Sequence, residues 1–173
     1  MAKRRTAAGW VIADALVGAA SGLVASWLME QAQARVIGPA GGAETKERER
    51  QAQGDLEPAT IRTAERAAHA VGREIPEDWK GAAGALVHYG TGAAFGALYG
   101  VAARRLGVPA LLGGALFGAA IWLVNDEGLV PALGISRKPW DYPASTHVKA
   151  LASHLVYGTA TGAGVRLLGA TLH

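Results

Sequence analysis

Four stretches of the chain are nearly free of charge, and polar runs separate them. Trp10 to Met29 holds 20 residues with one charge, Asp14, and at about 1.5 Å per residue such a helix reaches across a ~30 Å hydrocarbon layer. Gly81 to Ala103 carries no charge beyond the ionisable His88, Tyr89 and Tyr99, and it stops at Arg104 and Arg105. Val108 to Val124 spans 17 residues and closes on Asn125, Asp126 and Glu127. The fourth stretch, Thr146 to Leu168, has Lys149 and Arg166 near its ends, where long cationic side chains snorkel toward headgroups. The pattern predicts an all-α integral membrane protein. Its single membrane domain covers residues 1–173, with transmembrane helices at about 8–33, 81–103, 107–125 and 146–168 and an outer loop at 34–80.

Within that loop, Ala43 to Gln53 is dense in charge, and Gly41 to Gly54 is expected to be mobile by comparison with the segment that follows. A helix is predicted within Ala59 to Val71, with Pro58 at its start, Gly72 at its end, and Ile61, Ala64, Ala68 and Val71 on one face. That face can lie on the membrane or against a partner. In the second outer loop, Gly128 to Ile135 is apolar but broken by Pro131 and Gly134, which suits a short interfacial segment.

Lys3, Arg4 and Arg5 before an apolar run also begin a secretory signal. An internal repeat favours a permanent helix instead. Ala15-Leu16-Val17-Gly18-Ala19-Ala20 recurs as Ala115-Leu116-Phe117-Gly118-Ala119-Ala120, and Tyr89-Gly90-Thr91 as Tyr157-Gly158-Thr159, so helices one and two read as a degenerate copy of three and four. Every fourth residue then reveals a ridge of small residues on each helix. Gly18 and Gly22 lie on the first, Gly92, Gly96 and Gly100 on the second, Gly114 and Gly118 on the third, and Gly158 and Gly162 on the fourth. Lipid offers no hydrophobic drive between helices, so close backbone approach at such residues is the usual substitute, and slanted ridges of this kind suit right-handed crossings.

Composition sharpens the picture. Half of the 173 residues are hydrophobic and 18% charged, below the ~25% of a soluble domain. The net charge of +3 comes from signs segregated along the chain, which argues against nucleic-acid binding. The absence of Cys excludes disulfides, thiolate metal sites and a cysteine nucleophile. No hydrolase, metalloprotease or phosphate-loop motif occurs, so no enzymatic activity is expected. Lys3, Arg4, Arg5, Arg104, Arg105 and Arg166 fall on one side without carboxylates near them, whereas the loop at 34–80 mixes eight basic with nine acidic residues. The positive-inside rule places both termini in the cytoplasm. Trp27, Trp79, Trp140 and Tyr142 then form an outer aromatic belt opposed by Trp10.

Ionisable residues on the same ridges are the candidate chemistry, because an intramembrane charge costs at least ~2.5 kcal/mol. His88 and His154 each lie about 10 Å below the outer boundary, and Glu30, Asp126 and Glu127 end helices one and three on that side. Together they could form a proton-titrating cluster, a His and carboxylate metal site, or a bis-His haem clamp. A neutral, hydrogen-bonded pair of imidazoles that supports assembly is the favoured alternative, with no cofactor. Two functions of different class follow. One is a structural or accessory subunit, embedded in the bilayer, that packs through its glycine ridges against itself as a homo-oligomer or against a larger membrane complex. The other is a proton- or ion-handling protein that uses His88 and His154.

The Gly18/Gly22 helix with its basic N-terminus, the Pro58 to Trp79 loop, the His88-Tyr89-Gly90-Thr91-Gly92 helix, the segment Gly128 to Tyr142 and the His154 to Thr159 helix together resemble the YagU-like family of small bacterial inner-membrane proteins. The resemblance implies a multi-pass protein of the bacterial inner membrane. It brings no catalytic residue to any position of this chain.

Overall fold

The computed structural model describes residues 7–172, and the side chains within 8–103 and 107–170. Lys3, Arg4 and Arg5 and the side chains of Arg104 and Arg105, which carry much of the orientation argument, lie outside the described residues.

The described residues are all-α. Helix α1 (Ala7–Ala32) runs into a π turn at Gln33–Ile37, and two shorter helices follow, α2 (Ala43–Gln53) and α3 (Ala59–Ala70). Then come α4 (Glu77–Leu106) and α5 (Ala110–Ile121), the latter continuing through a π stretch (Trp122–Leu129) into the single turn α6 (Val130–Ala132). A 3-10 turn at Pro139–Asp141 leads to α7 (Ala144–Leu172). Proline sets three of the starts. Pro58, Pro76 and Pro109 each stand immediately before α3, α4 and α5 with ψ of 142°, 148° and 136°, which uses the fixed φ of proline where no N–H is needed. Gly72 closes α3 at φ 71° and Gly107 follows α4 at φ 61°, a left-handed conformation that a side chain would strain.

Among the described residues one helix, Ala8–Ile37, is long and apolar enough to cross a membrane by length and composition. Helices α4 and α7 are of similar length, 30 and 29 residues. Their small residues, together with Glu77, Asp78 and Lys80 on α4 and His147, Lys149, His154 and Arg166 on α7, dilute their hydropathy.

Three local expectations are corrected. The charge-dense run is a helix, α2, held by the pairs Arg48–Glu44 (2.6 Å) and Arg50–Glu47 (2.7 Å) three and four residues apart. The third helix does not stop at 125. It continues to Ala132, so most of the segment expected to lie at the interface extends the helix, and Pro131, which cannot donate to the turn before it, follows directly on the wider π turns. The apolar face of α3 meets α4 rather than lipid: Ile61 packs over Gly84, and Ala64 is buried.

The four long helices form two antiparallel hairpins, α1 with α4 and α5 with α7, joined mainly where α1 meets α7. The partition of residues between inside and outside is inverted. The largest fully buried side chains are Thr161, Ser26 and Ser153, whereas Ile12, Leu16, Leu98, Leu116 and Leu167 are exposed. Three of the buried hydroxyls are satisfied along their own helices, Ser21 donating to the Val17 carbonyl, Ser153 to Lys149 and Thr161 to Tyr157. A small apolar cluster of Ala25, Ile121 and Tyr157 lies where the hairpins meet.

Candidate functional site

All nine predicted packing glycines are buried, and they are in backbone contact across the two hairpins. In the first, a Cβ added to Gly18 would fall on the Gly96 carbonyl oxygen, one on Gly22 on that of Gly92, and one on Gly100 on that of Asp14. In the second, Gly114 meets the Gly158 carbonyl, Gly118 that of His154, and Gly162 that of Ala110. Each Cα–H that replaces a Cβ thus points at an opposing carbonyl, a weak but repeated interaction available only to glycine at this distance.

The rungs also revise the repeat. Gly158 lies in its seam, yet Gly90 is exposed with nothing near its open side. The Tyr-Gly-Thr match therefore does not pair equivalent positions. The rungs instead make Gly18 and Gly22 the counterparts of Gly114 and Gly118, and Gly96 and Gly100 the counterparts of Gly158 and Gly162.

The ionisable candidates are divided between the hairpins rather than gathered. His88 places Nε2 3.3 Å from the Ser26 carbonyl of α1, and the Tyr89 hydroxyl donates to Glu30 at 2.5 Å. His154 donates through Nδ1 to the Ala150 carbonyl (2.9 Å) and faces Asp126 at 3.6 Å through Nε2. Glu127 turns to a residue outside the predicted set: His147 Nδ1 stands 2.6 Å from Glu127 and its Nε2 3.0 Å from the Pro139 carbonyl. Both partners of His147 are acceptors, so only the imidazolium, with two N–H donors, satisfies both. Among the described residues no group of three or more His, Asp or Glu is arranged to hold a metal ion. The carboxylate–imidazole pairs Asp126–His154 and Glu127–His147 start from consecutive residues of the π stretch.

Around them lies a polar clasp that sequence reasoning missed. Arg62 and Arg66, four apart on α3, donate to the carbonyls of Leu133, Gly134 and Ile135, at 3.3 and 3.2 Å for the two Nη2 contacts with Gly134. They serve the carbonyl end of the α5–α6 helix, where orphan acceptors need partners. Lys80 bridges Glu77 (2.9 Å), Glu57 (3.0 Å) and Glu65 (3.1 Å), which together raise its ammonium well above the ordinary lysine range. Lys149 holds Glu49 of α2 (2.7 Å) and the Gly38 carbonyl (3.1 Å). Burial alone would raise the Glu49 carboxyl, but the hydrogen bonds from Lys149 and Ser145 and the charges of Lys149 and Lys46 together outweigh it and hold the group below the usual range. The sequence signal for Arg62 and Arg66 was their spacing on one helical face. Nothing local pointed to carbonyls some seventy residues away.

No curated protein and no solved structure matches the chain. A family profile described as "Protein of unknown function (DUF1440)" matches residues 74–162. The match takes in α4, α5, the π stretch and α7 as far as Gly162, and so includes His88, Asp126, Glu127, His147 and His154. It covers half of the sequence, and the chain therefore belongs to the DUF1440 family.

Proposed function

We propose that the protein is a multi-pass protein of the bacterial inner membrane with both termini in the cytoplasm, acting as a structural or accessory subunit without catalytic chemistry of its own. The inverted partition carries this reading: small and hydroxylated residues fill the interior, and Leu, Val, Ile and Trp cover the outside of the long helices. In water such a surface would associate or aggregate. In lipid it is the expected arrangement, with close glycine packing supplying the cohesion between helices. The α4, α5–α6 and α7 paths then cross the bilayer beside α1, with Trp27, Trp79 and Trp140, all exposed, near the outer headgroups. The YagU-like resemblance and the DUF1440 match would then describe one family.

A second reading, proton handling, is favoured by the Asp126–His154 and Glu127–His147 pairs. The two readings separate in one experiment. The protein is solubilised in mild detergent, its assembly mass is measured, and it is reconstituted with a pH-sensitive dye. An assembly larger than the 17.8 kDa chain and no proton flux agree with the accessory reading. A pH-dependent flux abolished by His154→Gln, with assembly intact, would replace it by the proton-handling one.

A further inference from the structure

At their last rungs the two hairpins line one cavity. Asp14 and Gly100 of the first, and Ala110 and Gly162 of the second, border this cavity of about 440 Å³. This volume lies toward the low end of small-molecule sites. Val17, Tyr99, Ala103 and Val165 give it apolar walls, and Arg166 stands at its edge. Arg166 is exposed and makes no hydrogen bond or ion pair among the described residues, whereas Asp14 is not without a partner. Ala103 is followed in the chain by Arg104 and Arg105. An apolar slot beside a guanidinium that no described residue pairs, at the basic end of a helical bundle, has the chemistry of an anionic lipid site on the cytoplasmic side.

We propose that this cavity seats one acyl chain of an anionic phospholipid of the cytoplasmic leaflet, with the lipid phosphate held by Arg166. The inference rests on the membrane placement proposed above. The cavity accommodates a chain but not a whole lipid, which leaves the second chain among the bilayer lipids.

The test uses the full-length protein in detergent with added phosphatidylglycerol, phosphatidylcholine or inorganic phosphate, read by native mass spectrometry and thermal unfolding. Phosphatidylglycerol should remain bound and raise the melting temperature by several degrees, while phosphatidylcholine and inorganic phosphate should do neither. Arg166→Gln should abolish the preference for phosphatidylglycerol. Gly169→Phe, at a lining position with open space around it, should fill the slot and remove bound lipid without touching either glycine seam. Equal retention of both lipids by wild type and Arg166→Gln, undiminished binding in Gly169→Phe, or protection by inorganic phosphate alone would each overturn the proposal. A carbonate wash of membranes separates the two levels. A protein that stays in the pellet but shows no lipid preference refutes this inference alone, and one released by the wash refutes the membrane reading as well.

Discussion

The two hairpins share one backbone plan and differ in what stands at its outer end. In α1–α4, glycine faces glycine at Gly18–Gly96 and Gly22–Gly92, and the ladder ends where Ser26 lies over Gly92 and His88 reaches the Ser26 carbonyl. In α5–α7, glycine faces glycine at Gly114–Gly158, but the next rung sets Gly118 against His154, so an imidazole enters one rung deeper. A rung therefore needs glycine on one side only, and the freed position can carry chemistry. The difference extends to neighbouring positions: Ser26 Oγ and Trp122 Nε1, at corresponding places in the two ladders, are both buried without a hydrogen-bond partner. Glu30 accepts from a tyrosine, whereas Asp126 at the corresponding place faces a histidine.

The largest effect is expected in the seams. Gly96→Leu would drive a side chain into the Gly18 carbonyl and the Gly22 backbone, and should eliminate folded protein in detergent. Gly158→Leu should do the same to the second hairpin. The milder Gly96→Ala should destabilise by about 1–3 kcal/mol. Gly90→Ala, six residues from Gly96 but on the open side of α4, should leave the melting temperature unchanged or slightly raised, because it removes the helix penalty of glycine without a clash. Equal sensitivity at Gly90 and Gly96 would break the assignment of the seam.

Next in size is the clasp. Arg62→Met with Arg66→Met leaves the Leu133, Gly134 and Ile135 carbonyls without these donors and should cost about 1–3 kcal/mol. The loss should show as faster hydrogen exchange from Val130 to Ile135, with α1–α4 unaffected. Spread of the fast exchange to α1 would mean that the hairpins are not independent in this respect.

The seams were legible in the sequence because a glycine at every fourth position needs no knowledge of its partner to mark a helix face. Their register was not. Tyr89-Gly90-Thr91 and Tyr157-Gly158-Thr159 match in letters, yet Gly90 is open and Gly158 closed, since the match ignores which face of the helix each glycine occupies. The α2 helix was hidden by composition: Glu44, Glu47, Arg48 and Arg50 read as a solvated run until their i,i+3 and i,i+4 pairing and the contact from Glu49 to Lys149 are seen. The clasp and the His147–Glu127 pair depend on contacts far apart in sequence, and periodicity carries no record of those.

The smallest effect concerns pH. The Glu49 carboxyl is held below its ordinary range in the folded protein, so its contribution to stability is present at neutral pH and is lost as pH falls through the folded-state value. The prediction is that Glu49→Gln lowers stability slightly at pH 7 and that the difference from wild type closes on acidification. A difference that grows toward low pH would contradict the ion pair with Lys149.

In the proposed membrane placement the aliphatic outer faces of the long helices meet lipid while the glycine ridges face inward. The chain has no cysteine, so single cysteines introduced at Leu16, Leu98 and Leu116, all more than half exposed, can each carry a nitroxide in protein reconstituted into bilayers. Collision of the labels with dissolved oxygen and with a water-soluble nickel chelate then measures their surroundings. High oxygen and low nickel accessibility is expected at all three positions. High nickel accessibility at Leu98 and Leu116 would place those faces in water and contradict it.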